Sequence, residues 1–183
     1  MTINENKDFK YRFVIIGAPG SGKGTIGELV EKRLSLPHIS TGDIFRHHLD
    51  AEDALGRQIK EVVNEGKLIP DDITEAVIKK RLSQEDVKDR FLLDGFPRDV
   101  EQARFLLDVR EVDGILHVKL DDESIVDRLS KRRICSECEK GFHLTFKPPK
   151  QEGVCDACGG ALVKRDDDKP DIVRERLSTY HEV

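Results

Sequence analysis

The sequence predicts a P-loop-containing three-layer α/β/α fold, a parallel sheet covered by helices on both faces. Three observations carry that expectation. The apolar, β-branched run Val14-Ile-Ile16 breaks at Gly17 into a glycine-rich loop, and a helical period follows from Ile26 to Leu34. Strand-like and helix-like stretches then alternate along most of the chain, which is the pattern of parallel strands joined by crossover helices. Last, all four cysteines fall between residues 135 and 158, inside a small insert that interrupts the alternation.

Taken in order, Met1 to Asp8 reads as a frayed tail, and the first helix runs from about Gly24 to Leu34, stopping before Pro37. His38-Ile39-Ser40 reads as a short strand, with Thr41-Gly42-Asp43 capping a helix through Ile44 to Leu49. A helix over 54–65 ends at Gly66, Lys67 to Pro70 is an extended link, and Asp71-Asp72 cap a helix over 73–82. Strand 90–94 delivers Asp94 and Gly95 to its C-terminal end. Helix 99–109, strand 114–120 and helix 121–133 follow, the last ending in Lys131-Arg132-Arg133. Residues 134–166 read as an irregular insert, and helix 170–181 closes the chain. No internal repeat appears. In such sheets ligands sit at the C-terminal ends of the strands.

Composition narrows the function classes. The chain has 183 residues, enough for one domain with insertions, and hydrophobic and charged residues each make up 37%. A net charge of −5 argues against a nucleic-acid partner, which usually demands a basic surplus. No stretch is apolar enough for a signal segment or a membrane span, so a cytoplasmic enzyme is the expectation.

The loop itself points to phosphate. Gly17 to Lys23 fits G-x-x-x-x-G-K, with Gly24 next and the hydroxyl moved on to Thr25. Glycines let backbone N–H groups close on a polyphosphate, the helix N-terminus favours negative charge, and Lys23 can reach the outer phosphates. Cys135-x-x-Cys138 and Cys155-x-x-Cys158, sixteen residues apart, match a tetrahedral zinc site better than two disulfides or four buried or redox cysteines. Four thiolates leave no open position, so the zinc is structural: it staples an insert too small to hold itself together. Arg128 and Arg132, four apart, share a face of one helix, and Arg46, Arg98, Arg165 and Arg176 fall where strands end or the insert joins the body. Guanidinium forks suit phosphoryl oxygens. Asp94, at a strand end beside the loop-bearing strand, is placed to hold magnesium through water. His47, His48, His117, His143 and His181 show no metal-like grouping or triad and read as ordinary surface or core residues.

Together these residues resemble adenylate kinase, of the long-lid, zinc-containing bacterial type. The carrying motifs are Gly17 to Thr25, Ser40-Thr-Gly-Asp-Ile-Phe-Arg46, Gly66-Lys-Leu-Ile69, Phe91-Leu-Leu-Asp-Gly-Phe-Pro-Arg98 with Gln102, Arg132-Arg-Ile-Cys135, Phe146-Lys-Pro-Pro149, Arg165-Asp-Asp-Asp168 and Arg174-Glu-Arg-Leu177. The resemblance covers nearly the whole chain from residue 11 on. It implies reversible, Mg2+-dependent transfer of the terminal phosphoryl group of ATP to AMP, giving two ADP, by a cytoplasmic monomer with no nucleic-acid or membrane partner.

The resemblance also implies a division of labour. The core would comprise 1–39, 71–130 and 169–183, the helical AMP-binding region 40–70, and the zinc-ribbon-like lid 131–168. Gly20, Ser21, Gly22, Lys23, Gly24 and Thr25 would cradle the ATP phosphates, with Arg128, Arg132 and Phe142 also holding ATP. Thr41, Arg46, Lys67, Leu68, Ile69, Gly95, Arg98 and Gln102 would hold AMP, with Arg165 and Arg176 at the phosphates. Lys23, Arg98, Arg132, Arg165 and Arg176 would act on the transferring group. Family chains continue past the last helix with a further strand and helix, whereas this sequence stops at Val183. Two alternatives stand beside this reading. One is a kinase acting on UMP, CMP or GMP, against which Thr41 and Gln102 speak, since pyrimidine-selective relatives resemble Ser-Ala-Gly-Asp at the former. The other is a zinc-ribbon binding module switched by nucleotide, against which the mixed charge of the insert speaks.

Overall fold

The computed structural model describes residues 10–64 and 69–182, which form two compact units. One unit takes the chain up to Ile16 together with Lys23–Val118; the other takes Gly17–Gly22 and the chain from Lys119 onward.

In the first unit, strands β1 (Tyr11–Ile16), β2 (His38–Ser40), β3 (Arg90–Asp94) and β4 (Gly114–His117) form a parallel sheet in the order β2-β3-β1-β4. Helices α1 (Lys23–Leu34), α2 (Thr41–Asp50), α3 (Ala54–Asn64), α4 (Asp71–Leu82) and α5 (Val100–Val109) supply the crossovers. Alternation along each strand sends side chains to two cores. Ile15 and Leu92 pack with Leu36 and with Ile26 and Val30 of α1. Val14, Ile39, Phe91 and Leu93 pack with Ile78 and Leu82 of α4 and Leu106 of α5. Both faces are therefore covered, as the near-continuous apolar strands require. At the other end of the sheet Arg12 reaches Asp113 with a two-pronged ion pair, Nε to Oδ2 at 3.0 Å and Nη2 to Oδ1 at 2.8 Å, tying the start of β1 to the turn before β4.

In the second unit, α6 (Asp122–Lys131) and α7 (Pro170–Glu182) pack through Ile125, Leu129, Val173 and Leu177, with Ala18 of the loop buried among them. Strands β5 (Arg132–Cys135), β6 (Gly141–His143) and β7 (Leu162–Val163) form a small antiparallel sheet in the order β6-β5-β7.

Several boundaries differ from the sequence expectation. The helix expected over 121–133 stops at Lys131, because Arg132 is extended (φ −70°, ψ 141°) and pairs across to His143. Arg128 and Arg132 therefore do not share a helix face, and the expected irregular insert holds a regular sheet. Strand β4 ends at His117 rather than 120, since its neighbour β1 turns into the glycine loop after Ile16. The cap of α2 is Ser40, whose hydroxyl accepts from the Asp43 N–H at 3.2 Å, so Thr41 is already helical. Asp71 and Asp72 form the first turn of α4, following Pro70, rather than preceding it. The expected helix end at Gly66 and link at Lys67-Leu68 lie outside the described residues. No helix among the described residues is long and apolar enough to cross a membrane.

Candidate functional site

In the first unit the candidate residues gather where β3 ends. Register sets Ser40 of β2 and Ile15 of β1 on either side of Asp94. The next residue, Gly95, has φ +82°, and a Cβ there would run into the Thr41 hydroxyl, so the turn admits only glycine without strain. That close approach lets Thr41 Oγ1 donate to the Asp94 carbonyl at 3.2 Å. Arg98 Nε donates to the Gly95 carbonyl at 2.8 Å, and the Arg98 N–H donates to Gln102 Oε1 at 2.9 Å. Gln102, 2% exposed, uses its other end to donate from Nε2 to Asp71 Oδ1 at 2.6 Å. Asp99 caps α5 by accepting from the Gln102 N–H at 2.8 Å, which fixes that side chain from its own backbone.

Phe45, Ile69, Thr74, Arg98 and Gln102 line a small, partly open cavity of about 20 Å³. A water fits there and a nucleobase does not, so a base would require α2 and the Ile69 segment to move apart from α5. Arg46 pairs with Asp43 one turn back. Lys67 and Leu68, also expected to line this region, lie outside the described residues.

Asp94 is 7% exposed, at the strand end, with His38 Nε2 3.4 Å from its Oδ2. A buried carboxylate with so little hydrogen bonding suits a hard cation approached through water. Lys23 opens α1, and the first turn of that helix carries no acidic residue, which leaves its positive end available to an anion.

In the second unit the loop lies on α6. Gly20 has φ +80°, and a Cβ there would come within 2.8 Å of Leu129 Cδ1. The Ser21 hydroxyl is buried and makes no hydrogen bond among the described residues, as a group awaiting a phosphate oxygen would be. Arg128 Nη1 donates to the Ser21 carbonyl at 3.4 Å, placing its guanidinium over the loop.

Around β5 and the start of α7, three arginines are tied by two aspartates. Arg132 donates to Asp168 from Nε (2.7 Å) and Nη2 (2.5 Å). Arg165 donates to Asp167 from Nε (2.8 Å) and Nη2 (2.6 Å), and Arg176 Nη1 reaches the same carboxylate at 2.8 Å. Burial alone would raise the Asp167 pKa, but Arg165, Arg176 and Arg132 outweigh it and hold it below the usual carboxylate value. Burial lowers the Arg176 pKa, with Asp167 opposing. Asp167 and Asp168 thus hold the heads of Arg132, Arg165 and Arg176. No local signal marks Asp167 and Asp168 as the linkers.

The four cysteine Sγ atoms lie within 4.8 Å of one another, with pairs at 3.4, 3.4 and 3.6 Å. A tetrahedral zinc with bonds of about 2.3 Å would hold its sulfurs ~3.8 Å apart, a spacing that lies within the range of the four Sγ atoms here. Backbone N–H groups of Glu137 and Ala157 each donate to a sulfur at 3.4 Å. Desolvation would raise the Cys155 thiol, yet the N–H groups of Ala157 and Cys158 outweigh it and bring its pKa down to about 6. At Cys158 the N–H of Gly160 favours the thiolate, but the neighbouring sulfurs push the pKa up to about 12. Four thiolates this close need a cation to coexist. Phe142 is buried in the core under this cluster, with Cys135, Cys155 and Leu162.

Comparison with known proteins gives a consistent picture. The family model described as adenylate kinase matches residues 15–183. The chain is 49% identical to the adenylate kinase of Caldicellulosiruptor bescii over 175 residues, 93% of this chain and 81% of that one. It is 45% identical to that of Fervidobacterium nodosum (92% and 80% covered) and 44% identical to that of Staphylococcus aureus (90% and 79%). On these matches, the chain belongs to the adenylate kinase family.

Proposed function

We propose that the chain catalyses ATP + AMP = 2 ADP. The observation that carries this reading is the matched phosphate loop together with the Asp94–Gln102 segment, which lines a small cavity and anchors Gln102 at both ends. In this reading AMP occupies the region of Thr41, Arg46, Ile69, Gly95, Arg98 and Gln102, and Lys67 and Leu68 complete it. Gly20 to Thr25, Arg128 and Arg132 hold ATP; Phe142 serves through its backbone, since its ring is committed to the lid core.

Asp94 would hold, through water, the magnesium that accompanies ATP, and that ion would supply charge neutralisation at the phosphates. The residues themselves supply position and charge. Lys23 lies at the transferring group, and Arg98, Arg132, Arg165 and Arg176 hold the phosphoryl oxygens in line. No covalent intermediate is required. The lid, 131–168, closes over the phosphates and excludes water, so that AMP is the acceptor. Cys135, Cys138, Cys155 and Cys158 would hold a zinc that joins the two cysteine turns of the lid. A monomer in the cytoplasm is the expected form; the two C-x-x-C pairs of metal-binding spacing fit a reducing compartment.

The test is incubation with ADP and Mg2+ alone. Equal appearance of ATP and AMP supports the reading, and a turnover reduced ~10²–10³-fold in Lys23→Ala supports the role of that lysine. No conversion of ADP, with phosphate transfer to UMP, CMP or GMP instead, would overturn the choice of AMP.

A further inference from the structure

We infer that His38 is a positioning residue for Asp94, and that Gly27 of α1 provides the space that holds the imidazole in place. The inference rests on the reading of Asp94 as the carboxylate that orients magnesium-bound water.

The argument begins with register. His38 pairs with Leu92 and Ser40 with Asp94, so His38 and Asp94 project from the same face of two neighbouring parallel strands. Leu92 identifies that face as the one covered by α1. Both side chains are almost withdrawn from solvent, His38 at 8% and Asp94 at 10% exposed. His38 Nε2 lies 3.4 Å from Asp94 Oδ2 and makes no hydrogen bond among the described residues. That distance is long for a formed bond, and a small turn of either side chain would close it. A buried imidazole nitrogen without a partner is costly, and Asp94 is the acceptor it faces.

Helix α1 sets the other wall. A Cβ at Gly27 would overlap Cε1, Nε2 and Cδ2 of the His38 ring. The ring therefore lies flat against the helix backbone, which blocks its retreat from Asp94. Its own backbone N–H faces Glu31 Oε1 at 3.5 Å, on the next turn of the same helix. One oxygen of Asp94 is thereby directed to the imidazole, leaving the other for the water shell of a cation. Carboxylates that orient metal ions are commonly fixed by such outer partners, whose loss costs 10–100-fold in metal affinity.

The experiment uses the full chain with His38→Ala, His38→Gln, Gly27→Ala and Asp94→Asn. Three quantities are read: the apparent Mg2+ constant for ADP conversion at saturating nucleotide, Mn2+ affinity in the presence of ATP by electron paramagnetic resonance of free Mn2+, and Tm. Asp94→Asn is expected to weaken both metal constants. His38→Ala should weaken both about tenfold, Gly27→Ala should do the same by displacing the ring, and His38→Gln should restore most of the loss through its amide donor. Should His38→Ala fail to fold, Gly27→Ala reads the same displacement with the histidine retained. Metal constants unchanged in the His38 and Gly27 variants but weakened in Asp94→Asn would overturn the inference while leaving the role of Asp94 intact, even if Tm fell. Metal constants unchanged in Asp94→Asn would overturn the reading of Asp94 and the inference with it.

Discussion

Arg132 and Asp168 form a two-pronged ion pair in which the carboxylate side chain is fully buried and the guanidinium is 27% exposed. Two charge-assisted bonds from a buried carboxylate fix the direction of the arginine. Asp168→Ala should leave the Arg132 head free to reach water and lose its pre-set orientation. We expect a stability loss of about 1–3 kcal/mol by urea denaturation. We also expect kcat to fall at least ~10-fold through misplacement of a charge-stabilising group. A variant with normal kcat would show that Arg132 acts elsewhere than on the phosphates.

Asp167 gives the second unit a pH dependence. Its folded pKa lies below the unfolded value because Arg165, Arg176 and Arg132 outweigh the cost of burial. The folded state therefore binds fewer protons than the unfolded state as pH falls through the carboxylate range. Stability from this group is present above the ordinary carboxylate pKa and is lost as pH drops toward the depressed folded value. Unfolding midpoints measured from pH 7 to pH 3 should decline more steeply in the parent than in Asp167→Asn. Parallel slopes would remove Asp167 from the acid response.

How much of this was legible beforehand depends on the range of the signals. The strand-loop-helix around Lys23 and the paired cysteines are written in short windows, so composition and spacing suffice to find them. The start of β5 is not: a helical period runs through Arg132, and only pairing with His143 and, further along, with Val163 interrupts it. The facing of His38 and Asp94 depends on the register of strands more than fifty residues apart, and Asp167 joins Arg165 to Arg176 only once the chain turns into α7. Groups marked by a short spacing motif could be read; those that depend on strand register or on a later turn of the chain could not.

Gln102 connects fold and specificity. Its amide donates to Asp71 and accepts from the Arg98 N–H while the residue is 2% exposed. Gln102→Ala should therefore relax the choice of base and also remove the link between the exposed Asp71 and the Arg98 N–H, a destabilisation of about 1 kcal/mol. Comparing AMP with GMP, CMP and UMP as acceptors at fixed ATP measures the first effect, and thermal unfolding measures the second. An unchanged base preference with lowered Tm would reduce Gln102 to a structural link between α4 and α5.

The cysteine cluster makes the β5–β6–β7 segment, the proposed lid, the part most sensitive to metal removal. Its strands are four, three and two residues long, and its buried apolar cluster amounts to Phe142 and two cysteines, with Leu162 packed against it. So small a core does not hold a sheet unaided, and ligation free energy becomes folding free energy when four thiolates share one ion. Chelation under reducing conditions should lower Tm and expose the lid to protease near the Phe146-Lys-Pro-Pro149 turn. Catalysis by protein reconstituted with zinc should return to the parent value, because the metal carries no step. The same change should appear in Cys155→Ser, whose sulfur has the pKa drawn down to about 6 by the N–H groups of Ala157 and Cys158 against desolvation. A melting curve unchanged after metal removal verified by elemental analysis would show that the β5–β6–β7 sheet stands without the ion.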